Sequence, residues 1–116
     1  MIPANTDELV QGYLHAFAAA DVEGCVAYFH DDATIEWMMT TYRGSEAIEE
    51  WHKDRFASGL QIDRVDEITV DGDAVVIDIT VSSKRVWRLA SLGARVRIAH
   101  SNNKIQNARF SLRAMG

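Results

Sequence analysis

The stretch from Tyr13 to Glu36, YLHAFAAADVEGCVAYFHDDATIE, decides how the rest of the chain is read. Its first part keeps helical spacing, because Tyr13, Leu14 and Phe17 continue a face that Leu9 and Val10 begin. That spacing predicts a helix over about 6–20, with Asn5 and Thr6 as N-cap candidates and Glu8 three residues after Asn5. Asp21 restarts a short helix whose apolar stripe is Val22, Cys25, Val26 and Phe29. Asp31 and Asp32 end it, and Ala33 to about Thr41 reads as a strand.

Outward from that stretch the period changes once. Arg43-Gly44-Ser45 is a turn and a cap, and Ser45 with Glu46, Glu49 and Glu50 suits the positive end of a third helix. That helix carries Ala47, Ile48, Trp51, His52, Arg55 and Phe56. After Ser58-Gly59 the pattern is β. Leu60 to Val70 meets Ala74 to Ser82 across Asp71-Gly72-Asp73, a hairpin signal. Arg85 to His100 is long for one strand, so Ser91-Leu92-Gly93-Ala94 is expected to bend or bulge it. Asn102-Asn103 turns the chain into Lys104 to Arg113. Helices first and a strand meander after them predict an α+β domain with helices on one sheet face.

Bulk properties set the outer limits. A chain of 116 residues fits one domain, 1–116, and can bury a core without staples. One cysteine, Cys25, excludes an internal disulfide framework. A net charge of −5 argues against nucleic acid, since no basic stripe is large enough to displace many counterions. No run approaches the roughly 18 to 20 apolar residues that span a bilayer, so no membrane partner is expected. The opening residues lack a basic segment followed by an apolar one, and the expected location is cytoplasmic. His15, His30, His52 and His100 are scattered, and no Gly-rich phosphate loop is present, so neither a metal nor a cofactor is expected.

With those elements placed, the Tyr13–Glu36 stretch resembles the nuclear transport factor 2-like superfamily, in its ketosteroid isomerase and SnoaL-like polyketide cyclase branch. The Ala-Asp turn at Ala20-Asp21, the Phe-x-Asp-Asp-Ala entry at 29–33, the helix start Arg43-Gly44-Ser45-Glu46-Ala47-Ile48 and the last strand opening Lys104-Ile105 carry the likeness. It implies a cone-shaped, curved, mixed or antiparallel sheet with three helices from the N-terminal half on its concave face. It also implies a pocket inside that cone. This superfold hosts enzymes, binding modules and dimerisation domains alike.

The resemblance puts Tyr13, eight residues before Asp21, where the isomerase keeps its oxyanion-donating tyrosine. It puts Phe29 and His52 where supporting tyrosines stand. The isomerase's base follows a Val-Glu pair, whereas here Ile35-Glu36 is followed by Trp37. Its second oxyanion donor is a protonated aspartate, whereas here the segment reads Arg95-Val96. Relatives with an acid near the end of the last strand differ too, because this chain has Ser111-Leu112-Arg113. Ketosteroid isomerase activity is therefore not expected.

Each site residue has a bland reading beside the functional one. Tyr13 is either the polar anchor of the pocket or a core tyrosine with a backbone partner. His52 is either an acid/base that orients Tyr13 or a half-buried histidine at a helix edge. Phe17, Phe29, Trp37, Met39, Trp51, Ile98, Phe110 and Leu112 are expected to wall the pocket, and plain core packing accounts for them as well. Arg55, four residues after Trp51, either points inward toward a ligand carboxylate or snorkels to the rim. Asp78 is expected to face outward and pair with Arg97 or Arg109; in the opposite register it would be a buried carboxylate and a candidate base.

Three functions follow: a cofactor-free isomerase, cyclase or hydrolase; a carrier of a small apolar ligand with a carbonyl or hydroxyl; or a dimerisation module with an incidental cavity. A homodimer built partly on the outer sheet face is expected, with Arg95, Arg97 and Arg109 reaching Glu67 or Asp78 of a second copy.

Overall fold

The computed structural model describes residues 4–83 and 91–113. Helix α1, Ala4–Ala18, buries Leu9, Val10, Tyr13, Leu14, Ala16 and Phe17 along the predicted face. It already runs at Ala4, so Asn5 and Thr6 are in its first turn and not before it, and Thr6 is buried. Ala20 takes a left-handed φ of 54°, and the Asp21 amide donates to the Ala16 carbonyl at 3.0 Å, which stops α1 and aims the chain at the next helix. Helix α2, Val22–Val26, is capped as expected: the Asp21 carboxylate accepts the Gly24 amide at 3.0 Å.

Strand β1, Phe29–Trp37, starts earlier than the sequence suggested. Phe29 belongs to it and not to the α2 stripe, and Asp31 and Asp32 lie within it, exposed. A register irregularity between Phe29 and Thr34 in the pairing with the last strand accommodates them. The expected single strand to Thr41 is in fact a hairpin. Met38 and Met39 take φ of 49° and 70°, the two-residue turn with both centres left-handed, and strand β2 follows over Thr40–Arg43. Helix α3, Ser45–Ala57, has Gly44 as its N-cap at φ 89° with no side-chain cap, so Ser45 is the first helical residue and does not cap it. Gly44 suits that position because a side chain would be strained there.

The remaining strands are β3 (Leu60–Asp71), β4 (Ala74–Ser83), β5 (Ser91–Ser101) and β6 (Lys104–Leu112). The hairpin turns fall where predicted, with positive φ at Gly72 and at both Asn102 and Asn103. The expected segment between Arg85 and Ala90 lies outside the described residues. No bulge occurs at 91–94 against β4, because pairing runs without a break from Ser82↔Ser91 to Ala74↔Ala99. The irregularities sit elsewhere, in β3 and at Ala99/His100.

The six strands form one curved, unclosed mixed sheet in the order β2-β1-β6-β5-β4-β3, with the three helices against it. Only β1 and β6 run parallel. The inner face carries Ile35, Val75, Ile77, Ile79, Val81, Val96, Ile98, Ile105 and Ala108, all buried. The outer face carries charge, with partners set by the strand register. Asp78 faces out, but it pairs with Arg95, directly opposite on β5, at 2.8 Å. Arg97 pairs with Asp71, and Arg109 with Glu36. The arginines expected to reach a second copy thus have partners inside the chain.

Candidate functional site

Two arrangements of polar and aromatic groups meet the sequence expectations, at different depths. The inner one joins α1 and α3. Tyr13 is 2% exposed and His52 is closed to solvent, and Tyr13 Oη lies 2.8 Å from His52 Nε2. His52 Nδ1 lies 2.8 Å from the Ile48 carbonyl, one helical turn back. A carbonyl only accepts, so Nδ1 carries the proton, Nε2 is the acceptor, and the tyrosine hydroxyl donates to it. Burial lowers the His52 pKa to about 4, against a smaller opposing effect of the Ile48 hydrogen bond. Burial, with the Cys25 thiol a lesser cause, raises Tyr13 well above the usual phenol range. Both groups are therefore uncharged at neutral pH, and each satisfies the other.

Aromatic rings surround this pair. Tyr13 makes edge contacts with Phe29 at 5.5 Å and Phe17 at 6.0 Å between ring centres. His52 meets Trp51 at 4.9 Å and Phe29 at 5.8 Å. Phe56, named by the periodicity of α3 but not as a site residue, packs on Phe17 at 5.0 Å. Ile98 is fully buried in the inner face of β5 between its partners Val75 and Ala108.

The outer arrangement is a groove of about 410 Å³ at the end of β1, lined by Trp37, Met39, Phe110 and Leu112 together with Glu36, Arg109 and the β1–β2 turn. Trp37 is the last β1 residue paired with β6, opposite Phe110. Beyond it the Met38-Met39 turn carries the chain away, while β6 continues to Leu112. That divergence opens the groove. It also corrects two expectations: Leu112, in phase with Phe110, is 49% exposed beyond the end of β1, and Met39 is fully exposed at the turn. The expectation that both wall an internal pocket assumes that β1 continues alongside β6.

Neither Tyr13 nor His52 lines this groove. Trp51 links the two depths. It is 1% exposed and lies 4.6 Å from Phe110, 6.0 Å from Trp37 and 4.9 Å from His52, centre to centre. Arg55 is half-buried and, like Trp51, does not line the groove itself; it reaches the groove through Trp37, which does. Its guanidinium carbon lies 5.2 Å from the centre of Trp37 and 5.7 Å from that of Trp51, the geometry of a cation on aromatic faces. At the groove's polar edge, Arg109 hydrogen-bonds Glu36 through two nitrogens, at 3.2 and 3.3 Å, and that contact lowers the Glu36 pKa. The sequence reading had missed this pair; only the parallel β1–β6 register, which sets Glu36 opposite Arg109, brings it together.

Among the described residues no group of three or more His, Cys, Asp or Glu side chains is placed to hold a metal ion. No helix among them is long and apolar enough to cross a membrane.

The profile of the SnoaL-like domain family matches residues 10–110. The fold is similar to that of a nuclear transport factor 2-like protein from Anabaena variabilis, with a TM-score of 0.83 at 19% identity over 100% of this chain and 96% of that one. It is similar to a protein of ketosteroid isomerase-like fold from Catenulispora acidiphila, solved in complex with trimethylamine, with a TM-score of 0.77 at 15% identity over 90% and 84%. A de novo designed protein with a curved β-sheet matches as well, with a TM-score of 0.78 at 21% identity over 97% and 88%. At such identities these likenesses are likenesses of fold, and the designed protein underlines the point.

Proposed function

The chain belongs to the SnoaL-like domain family, and from that premise we propose that it binds a small, mostly apolar molecule in the groove beyond β1, against Trp37, Phe110, Met39 and Leu112. One observation carries the reading. The groove wall is the outer layer of a continuous ring-to-ring stack that runs from Trp37 and Phe110 through Trp51 to His52 and Tyr13. A molecule seated there replaces solvent on aromatic surface that the fold otherwise leaves wet, and that exchange supplies the binding energy.

In this reading the Tyr13–His52 pair is a positioning pair. It locks the α3 rotamers that set Trp51, and so the back of the wall. Turnover is harder to support than binding. Glu36 is the one carboxylate among the described residues that line the groove, and the arginine that keeps it ionised also makes it a weak base.

The test uses 2-acetylnaphthalene, a neutral aryl ketone, titrated by calorimetry. Saturable binding to the wild type, weakened several-fold in Phe110→Ala, supports the groove. Absence of saturable binding, or equal affinity in Phe110→Ala, overturns it. Tyr13→Phe separates the roles of the inner pair. If it weakens the ketone while sparing 2-ethylnaphthalene, Tyr13 is a polar anchor that reaches the ligand. If it affects both alike, Tyr13 acts through position.

A further inference from the structure

We infer that the molecule taken by the groove carries a carboxylate, held by Arg55, which stacks on the groove residue Trp37, with the Trp51 indole N–H behind that same ring as a second donor. This rests on the groove reading above and specifies the chemistry of its ligand.

Arg55 differs from most of the described arginines. Arg64, Arg95, Arg97, Arg109 and Arg113 each rest on an aspartate or glutamate. Arg55 does not: among the described residues no carboxylate stands within ion-pair distance of it. Arg43 is without a carboxylate too, but it stands exposed on β2 with no ring over it. Arg55 is half-buried and spread over two indoles. A guanidinium that stacks through its faces keeps its edge donors free, and those form the planar fork that fits a carboxylate.

A second, independent observation stands next to it. Trp51 Nε1 is closed to solvent and has no hydrogen-bond acceptor among the described residues. Buried donors are nearly always paired, so an orphaned one marks a place where something is still to be accepted. Indole N–H can only donate. The two features are therefore donors of the same sense, four residues apart on one face of α3, both against Trp37. One carboxylate has two oxygens, enough to accept from both. An apolar body attached to it would lie on Trp37 and Phe110, in the groove. Because Nε1 is closed to solvent, binding through it requires Trp37 or Phe110 to change rotamer, a common adjustment at binding sites. Glu36 is the opposing charge at the groove, and Arg109 neutralises it at the far edge.

The experiment compares 2-naphthoate with its neutral counterpart 2-acetylnaphthalene at pH 7 by calorimetry. The wild type is expected to bind naphthoate about tenfold tighter or better, the ratio that a charge-assisted, two-donor contact provides. In Arg55→Met the ratio is expected to fall to near one, with Arg55→Lys in between because it keeps the charge and loses the fork. Arg43→Met, the other arginine without a carboxylate among the described residues, is expected to retain the wild-type ratio. Equal affinity of the two probes in the wild type overturns the inference while leaving the groove intact. So does a ratio that survives Arg55→Met, or one that Arg43→Met erases equally, since the preference would then come from general charge. Absence of binding by either probe removes the groove reading and this inference with it. Urea midpoints of each variant confirm that the folded protein is being compared.

Discussion

The inner pair and the groove wall are a few ångströms apart and are finished differently. At the inner pair every donor has its acceptor: the Tyr13 hydroxyl meets His52 Nε2, and Nδ1–H meets the Ile48 carbonyl. At the wall, Trp51 Nε1 has no acceptor and Arg55 has no carboxylate among the described residues. Both places are aromatic, but the inner pair is closed to water while the wall borders an open groove. Polar groups closed on one another hold a fold together, whereas polar groups left open in an apolar setting leave binding energy for something outside the chain. If that contrast is right, substitutions at the two places must behave differently.

The largest effect is expected where the pairing is complete. His52→Leu keeps most of the volume but strands the Tyr13 hydroxyl in the core. Leaving a buried donor without a partner costs about 1 to 3 kcal/mol, and this site also loses the bond to Ile48. We expect a loss near the top of that range in urea unfolding. The double variant Tyr13→Phe/His52→Leu should recover much of it, because the stranded group is gone. A double variant as unstable as the single one would mean that shape, and not hydrogen bonding, is what the pair supplies.

The same pair predicts a pH dependence. The folded pKa of His52, about 4, lies below its unfolded value of 6.5. As pH falls through 6.5 the unfolded chain takes up a proton that the folded chain refuses, so stability declines until the folded pKa is reached. Between pH 7 and pH 5 the decline amounts to roughly 2 kcal/mol from this one group. Glu36, Asp66 and Asp78 have pKa values lowered by arginine contacts or hydrogen bonds, so their contribution is lost at lower pH and hardly enters this window. His52→Gln, which can still offer Tyr13 an acceptor, should flatten that part of the profile. An unchanged slope in this variant would show that His52 is not held neutral.

How much of this was legible in the sequence follows the same division. Helical spacing found the α1 face and the α3 positions of Trp51, His52 and Arg55, and the likeness to the isomerase branch placed Tyr13 beside His52. What was illegible depended on where strands end and how they pair. Left-handed hairpin turns are signalled by Gly, Asn or Asp, as at Asn102-Asn103, and nothing in Met38-Met39 gives that signal. The groove exists because of that turn. Leu112 stayed in phase with Phe110 but had lost the strand beside it. Asp78 was given the wrong arginine because the register of β5 on β4 places Arg95 opposite it. Sequence alternation gives the face of a residue and not its cross-strand neighbour.

The outer sheet face adds a third condition, polar groups that are paired but wet. Arg95 is more than half exposed while it bonds Asp78. Exposed pairs trade one well-solvated state for another. Arg95→Met should therefore leave the urea midpoint almost where it was, and what effect it has should shrink further in high salt. A loss comparable to that of His52→Leu would mean that pairing itself, regardless of burial, sets the stability of this sheet.

A small net change is also expected at the wall, from two effects that offset, and it tests the contrast from the other side. Trp51→Phe shortens a buried ring, which removes apolar contact with Phe110 and Trp37 and on that account destabilises. It also deletes a buried N–H that has no acceptor among the described residues, and removing an unsatisfied donor returns about 1 to 3 kcal/mol. A reduced core ring costs a similar amount when its neighbours can partly close the gap. Phe110 and Trp37 border the open groove and are freer to do so than the residues around Tyr13. The two effects should leave stability within about 1 kcal/mol of the wild type. A loss beyond about 3 kcal/mol in urea unfolding, at the scale of a filled and satisfied core site, would show that the indole N–H already has its partner. The wall would then be as finished as the inner pair, and the difference on which the carboxylate assignment depends would be gone.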